Sequence, residues 1–533
     1  MIQNKRFFNT AGPIKENIHY SLPSLTRLNL AEIQSLIDQE KYFVLHAPRQ
    51  TGKTSALLAL MKYLNEQGQY RCLYCNIEAA QAARENVERG IKAILGEISS
   101  RARDFLHDKF LIEHRTELFT QSSPDVMLNE ALTIWAESSP KPIVLLIDEV
   151  DALIGDTLIS VLRQLRSGYD KRPTHFPQTI ILCGVRDVRD YRIHSAAEKT
   201  IITGGSAFNV KVKSLRLGNF TAQDIVTLYH EHTLNTGQPF AEGVLPYVWE
   251  LTGGQPWLVN ALAYEVCFEM VAGRDRTQPI TLEMINEAKE NLILRRETHL
   301  DQLVDKLREE RVRQVIEPIL TSESEPENLN EDDVQYVIDL GLIKPTKPLE
   351  IANRIYQEVL PRCLTNTTQM TITHETAWYV TADGLLDMKK LMAAFQQFFR
   401  QHSEHWLERF DYKEAGPQLL LQAFLQRIVN GGGRIEREYG LGHQRTDLLI
   451  IWPGRISEQT QIQYVVIELK ILHGKLETTI AEGIKQTWSY MDKCGAVEGH
   501  LVIFDRTPDK PWSEKLFKKK RTHQKQVIQV WGM

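Results

Sequence analysis

At 533 residues the chain exceeds what one hydrophobic core serves, so it should divide into three or four domains. Its 42% hydrophobic and 25% charged residues are ordinary for a soluble globular protein, and a net charge of −5 excludes a uniformly basic nucleic-acid coat. The start carries no signal-peptide pattern and no apolar run reaches about 20 residues, so a cytoplasmic protein without a membrane partner is expected.

The first strand is expected over 41–46, followed by a glycine-containing loop and a helix over 55–67 that ends at Gly68. A strand lies around Cys72, a charged helical region runs to about 138, and a strand spans 142–147. A helix over 157–168 then leads into a strand over 179–183. Strands alternating with helices imply a parallel sheet covered on both faces. The six cysteines are scattered; Cys72 and Cys75 have no second Cys/His pair at zinc spacing, so they read as buried strand residues.

From Phe220 to about Leu300 the pattern turns helical, interrupted by LTGGQPW over 251–257. Residues 301–365 read as helix, acidic loop, helix and a short hairpin over 342–344 and 349–352, compatible with a winged-helix unit. That stretch has no strongly basic recognition helix, so transmission of a nucleotide state is preferred to duplex binding. The expected divisions are a nucleotide-binding core over 1–215, a helical lid over 216–300, the winged-helix unit over 301–365, a polar linker over 366–376 and a last α/β domain over 377–533.

The loop after the first strand is APRQTGKT over 47–54. Backbone N–H groups of Pro48's successors Arg49, Gln50, Thr51 and Gly52, with Lys53, Thr54 and Ser55 opening a helix, form a cradle for phosphate. In such a P-loop Lys53 neutralises the β/γ-phosphates and Thr54 ligates Mg2+, which points to ATP as cofactor. Ala47 replaces the usual first glycine and puts the loop's backbone freedom in question. The second element, IVLLIDE over 143–149, sets Asp148 to hold Mg2+ and Glu149 to polarise water. Arg186, after the 179–183 strand, is placed to sense the γ-phosphate, with Arg189 and Arg192 as weaker candidates.

These elements resemble the AAA-like and STAND ATPases over residues 1 to about 365. The resemblance implies that Arg186 and Pro256, of the GQP at 254–256, contact nucleotide. It also implies oligomerisation of like chains when ATP is bound.

Near the end, Asp447 precedes a strand over 448–452, and Glu468 and Lys470 lie two apart in YVVIELKI (464–471). Residues two apart on a strand share a face, so Glu468 and Lys470 project together, and Asp447 joins them if the two strands pair. Carboxylates so placed would bind Mg2+ or Mn2+, and the lysine would help to acidify the attacking water. Gln486 and Tyr490 share a helix face by i,i+4 spacing. This order resembles the PD-(D/E)XK nuclease superfamily, in the branch fused to AAA-like ATPases, across roughly 410–533. The resemblance implies a restriction-endonuclease-like mixed sheet flanked by helices, and metal-dependent cleavage of nucleic acid, DNA favoured. By analogy with ATPase–nuclease fusions it also implies prokaryotic defence. The superfamily's first carboxylate falls on either Glu414 or Glu438. The cluster KLFKKKR over 515–521, with His523 and Lys525, either grips phosphates or forms a solvated turn. A different reading makes the nuclease fold a non-catalytic docking module of a nucleotide-switched signalling protein.

Overall fold

The computed structural model describes residues 6–533 apart from 188–191, 196–199, 296–297, 322–328, 365–378, 382, 410–420, 422–423, 426–433, 442–443, 457–458, 473, 506 and 508–509. The chain divides into two compact units: Met1–His299 with Asn330–Lys344, and Leu300–Leu329 with Pro345–Met533. Glu414, Arg189 and the expected linker lie outside the described residues.

The first unit opens with a parallel pair of two-residue strands, β1 (Phe7–Phe8) and β2 (His19–Tyr20). Its main sheet contains β3 (Tyr42–His46), β4 (Arg71–Asn76), β5 (Ile143–Asp148) and β6 (Thr179–Gly184). A short hairpin, β7 (Arg192–Ser195) with β8 (Thr200–Thr203), precedes the fifth strand, β9 (Lys211–Arg216). The order is β4-β5-β6-β3-β9 and every pairing is parallel. Side chains alternate strictly between two cores. Tyr42, Val44, Leu73, Cys75, Leu145 and Leu182 face one; Phe43, Leu45, Cys72, Tyr74, Leu146 and Ile181 face the other. Burial on both faces is what turns these strands into continuous apolar runs. It also sends Cys72 and Cys75 to opposite faces, each fully buried, so no single ion can be shared between them.

Helix Lys53–Gln67 continues directly from the loop after β3 and ends on Gly68 in the left-handed conformation. The stretch 216–300, where a lid was expected, includes helices Ala222–Thr236, Val244–Thr252, Pro256–Tyr264 and Leu282–Arg295. The first is fixed by a reciprocal Thr221–Asp224 capping box. Helix Glu331–Asp339 also belongs to this unit. In place of the expected hairpin there are single bridge residues at Ile343 and Ile351.

The second unit contains a mixed sheet of β10 (Arg434–Leu441), β11 (Gln444–Ile456), β12 (Gln459–Ile471), β13 (Glu498–Phe504), β14 (Phe517–His523) and β15 (Gln526–Gly532). Their order is β10-β11-β12-β13-β15-β14. The β12–β13 and β13–β15 pairs are parallel and the other three antiparallel. Helix Met388–Arg409 contributes Leu391, Phe395 and Phe399 to the core on one face, which takes Val465, Ile467 and Leu469 of β12. Helix Leu476–Cys494 covers the other face, which takes Val466. Among the described residues no helix is long and apolar enough to cross a membrane.

Candidate functional site

Parallel strands place the loops at their carboxyl ends together, and ligands of open α/β sheets bind there. Here β3, β5 and β6 bring the 47–54 loop, Asp148–Glu149 and Arg186 to that edge. Gln50 (φ 57°) and Gly52 (φ 87°) both take left-handed backbone, which curls the loop back on itself. Ala47 is absent from the positive-φ residues; its N–H donates to the Gly184 carbonyl at 3.2 Å and its methyl is fully buried. An L-residue therefore fits where the first glycine was expected, without restricting the turn.

Lys53 is 7% exposed and turns its ammonium to the carbonyls of Ala47 (2.9 Å) and Pro48 (3.0 Å). Thr51 is buried, its hydroxyl donating to Pro48 O at 2.8 Å, whereas Arg49 and Gln50 are exposed. Ser55 Oγ accepts the Ile14 N–H at 3.0 Å, which ties the N-terminal segment to the loop.

Asp148 is fully buried. Its Oδ2 accepts the Thr54 hydroxyl at 2.8 Å and the Tyr74 hydroxyl at 3.0 Å, and its Oδ1 accepts the Glu149 N–H at 3.0 Å. Glu149 is held in the left-handed region (φ 61°), a conformation that costs a non-glycine residue about 1–3 kcal/mol and recurs at functional sites. Burial, and then the neighbouring Asp148 carboxylate, hold the Glu149 carboxyl above its usual pKa. Arg186 is engaged by helix Glu331–Asp339: its Nε lies 3.7 Å from Asp339 Oδ2 and its guanidinium sits 4.7 Å from the Tyr336 ring centroid.

Beside the loop lies a cavity of about 150 Å³ lined by Thr10, Tyr20, Gln50, Phe220, Pro256 and Trp257, among others. Its walls are tied together by the Trp257 indole donating to Thr10 O at 2.9 Å. Pro256 starts its helix after Gly254, whose φ of +70° and tight approach to the Phe220 carbonyl admit no Cβ: one built there would meet that oxygen at 2.0 Å. Arg27, which the sequence did not single out, donates to Thr51 O at 2.6 Å and to Gly218 O, and packs on the Phe220 ring. Burial pulls its pKa down to about 10. Tyr74 was likewise missed; a hydroxyl within an otherwise apolar strand beside Asp148 was the available signal.

In the second unit Glu468 is 3% exposed and its Oε1 lies 3.3 Å from Lys470 Nζ. The two share the face covered by helix Leu476–Cys494, as the two-residue spacing predicts. Leu448 pairs with Ile467, so Asp447 and Glu468 occupy the next rung of the β11–β12 ladder. Arg437 pairs with Leu448 and Tyr439 with Thr446, so Glu438 takes the same rung on β10. Three neighbouring strands thus set the backbones of Glu438, Asp447 and Glu468 side by side, roughly 5 Å apart per step. Along helix Leu476–Cys494 the buried stripe includes Ile480, Ile484, Thr487 and Tyr490. Tyr490 is at its rim, 4% exposed and in the core, while Gln486 is exposed, so the face expected to carry both is split. Among the described residues no group of three or more His, Cys, Asp or Glu side chains is arranged to hold a metal.

A sequence profile of the AAA-like domain matches residues 27–360. The chain belongs to the AAA-like domain family. Structures similar to this AAA-like protein include the Walker-type ATPase PABY2304 of Pyrococcus abyssi, at 16% identity and TM-score 0.44, covering 62% of this chain and 93% of that one. Cdc6p from Pyrobaculum aerophilum aligns at 16% identity and TM-score 0.33 over 64% and 93% of the two chains. The RuvB Holliday junction branch migration motor of Thermotoga maritima aligns at 12% identity and TM-score 0.32 over 63% and 93%. No curated protein matches the chain.

Proposed function

We propose that this AAA-like protein is an ATP-binding and hydrolysing switch that controls a metal-dependent nuclease in its C-terminal unit. Its substrate would be nucleic acid, DNA in preference to RNA, in the cytoplasm and in prokaryotic defence. The nucleotide half is supported by the convergence of Lys53, Thr54, Asp148 and Glu149 at the carboxyl edge of the parallel sheet. Lys53 is poised to exchange the carbonyls of Ala47 and Pro48 for phosphate oxygens. Thr54 and Asp148 supply the hard oxygen donors that Mg2+ prefers, and the ion bound there would neutralise charge on the phosphates. Glu149, with its raised pKa, takes a proton from the attacking water, and Arg186 senses the γ-phosphate when released from Asp339. The base enters the cavity between Tyr20 and Trp257. ATP binding would favour assembly of like chains. The core, lid, winged-helix unit, linker and last domain would divide at 215, 300, 365 and 376.

The nuclease half rests on one observation: Glu438, Asp447 and Glu468 fall on one rung, with Lys470 paired to Glu468. Oxygen donors of this kind fit Mg2+ or Mn2+, which would supply an activated water. Lys470 then offsets charge developing on the phosphate, and Gln486 and Tyr490 would orient the strand being cut.

Incubating the full chain with labelled DNA or RNA, Mg2+ or Mn2+, and ATP, ADP or no nucleotide tests both halves. Lys53→Ala should abolish ATP hydrolysis, and Lys470→Ala should abolish cutting. Absence of cleavage in every nucleotide state sinks the nuclease half. The Glu468–Lys470 ion pair also favours a second reading, a docking module whose carboxylate is already paired with a cation. That module would bind its partner equally well after Glu468→Ala and show no metal-dependent turnover.

A further inference from the structure

Arg27 joins two segments of the first unit that meet beside the cavity. Its Nη1 donates to Thr51 O at 2.6 Å, between the left-handed Gln50 and Gly52, and a Cβ on Gly52 would stand 3.2 Å from the same nitrogen. Its Nη2 donates to Gly218 O, and its guanidinium carbon lies 4.9 Å from the Phe220 ring centroid. Gly218 and Phe220 belong to the short connector between β9 and helix Ala222–Thr236. That connector is itself tied at both ends. Leu217 N–H donates to His46 O at 3.0 Å, just before the loop, and Phe220 N–H donates to Gly254 O at 2.8 Å. One guanidinium therefore links the phosphate loop to the connector, and through Phe220 to the turn that opens helix Pro256–Tyr264.

The planar fork suits this task, since it holds two carbonyls at a fixed separation and stacks on a ring at the same time. Carbonyls do not neutralise its charge. Among the described residues Arg27 forms no ion pair with a carboxylate, and Asp224, whose field reaches it, is committed to the Thr221 capping box. A desolvated cation without a counter-charge is unfavourable. In a phosphate loop the backbone N–H groups turn to the ligand, which leaves the Thr51 carbonyl to Arg27 on the outer side. Phosphate in the loop would bring negative charge close to the guanidinium and favour the arrangement in which all its contacts are made. Arg27 and Phe220 also line the cavity with Pro256 and Trp257, so the same arrangement shapes the surroundings of the nucleoside. We propose that Arg27 is a positioning residue through which phosphate bound in the 47–54 loop seats helix Ala222–Thr236 and the Gly254 turn around that cavity. This role deepens the nucleotide half of the proposed function and rests on it.

The test follows amide hydrogen exchange of the full chain, with Mg2+ and inorganic tripolyphosphate as a ligand that carries no base. In the parent, tripolyphosphate should slow exchange in the 47–54 loop. It should also slow residues 217–236 and 252–255 by about fivefold or more, the size of an ordinary coupling between sites. In Arg27→Gln the loop should still be protected and the other two segments should not. Arg27→Lys keeps the charge without the fork and should behave as Arg27→Gln does. Each variant is compared with its own ligand-free state, so a general loss of stability does not imitate the result. Should Arg27→Gln fail to fold, Phe220→Leu, which removes the stacked ring, carries the same expectation. In ATP hydrolysis both Arg27 variants should raise KM about fivefold and change kcat less. Equal protection of residues 217–236 in the parent and Arg27→Gln overturns the proposal, and so does full rescue by lysine. Loop protection in the parent without any response at 217–236 overturns it too, and leaves ATP binding standing. A parent whose loop is not protected by tripolyphosphate removes the ATP reading, and this one with it.

Discussion

Asp339 holds Arg186 from the end of helix Glu331–Asp339, its Oδ2 3.7 Å from the guanidinium Nε and its side chain 1% exposed. Gln335 orients the other carboxylate oxygen at 2.9 Å, and the nearby Arg216 donates to the Ile338 carbonyl at 3.0 Å. The residue expected to sense the γ-phosphate is thus already engaged by a segment far along the chain. Asp339→Asn keeps the shape and removes the charge. If Arg186 acts as a sensor, the variant should hydrolyse ATP about fivefold faster, the equivalent of about 1 kcal/mol, with KM little changed. An unchanged kcat, or a loss matching that of Arg186→Ala, would show that the ion pair is only structural.

Glu149 offers a pH test. Its carboxyl is held above the ordinary glutamate range by burial and by Asp148, and only the deprotonated form accepts a proton. Hydrolysis should therefore fall as pH drops through this raised value, at a higher pH than an ordinary glutamate near 4.3 would give. Glu149→Gln should lower kcat by about 10²–10⁴ and leave ATP binding intact. Equal loss of binding and turnover would assign the residue to the fold rather than to the reaction.

How much of this was legible in the sequence depended on burial. Strands β3 to β6 are covered on both faces, so each reads as an uninterrupted apolar run close to its observed limits. The fifth strand, β9, escaped because it is an edge: KVKSLR has no apolar continuity, and its place is set by pairing with β3 and by Lys211 bonding to Asp187 at 2.6 Å. Glu468 and Lys470 were legible because a two-residue period is local. The alignment of Glu438 with Asp447 was not, since it depends on the register between β10 and β11. Tyr74 reaches Asp148 and Arg27 reaches Thr51 of the 47–54 loop through contacts that no local pattern encodes.

Two buried histidines predict acid lability of the first unit. Burial is the chief cause that lowers His232 to about 4 and His299 to about 3. Both are neutral in the fold, and both regain an ordinary value near 6.5 when it opens. Between pH 6.5 and those lowered values the unfolded chain binds more protons, so stability falls as pH falls, by up to about 1.4 kcal/mol per pH unit for each histidine. His299 stacks on Trp257 at 4.8 Å, a contact phenylalanine keeps. Thermal melts of His299→Phe from pH 7 to 4.5 should show a shallower decline than the parent. Parallel curves would remove His299 from the account.

The lid's attachment gives the last prediction. Gly254 sits at φ +70° and its carbonyl accepts the Phe220 N–H at 2.8 Å, while an added Cβ would lie 2.0 Å from the Phe220 oxygen and 2.6 Å from the Trp249 ring. Neither backbone can yield without breaking that hydrogen bond, and alanine also resists the left-handed conformation. Gly254→Ala should therefore cost more than the ~1 kcal/mol of an ordinary glycine replacement. Because Pro256 and Trp257 follow at once and line the cavity proposed for the nucleoside, the same shift should weaken ATP binding more than it lowers kcat. Gly237→Ala is the control, since it also has positive φ (+77°) but meets nothing within 4 Å. The control should lose stability through backbone strain alone and bind ATP as the parent does. Equal losses of affinity in the two variants would mean that the lid, and not the packing at Gly254, governs entry to the cavity.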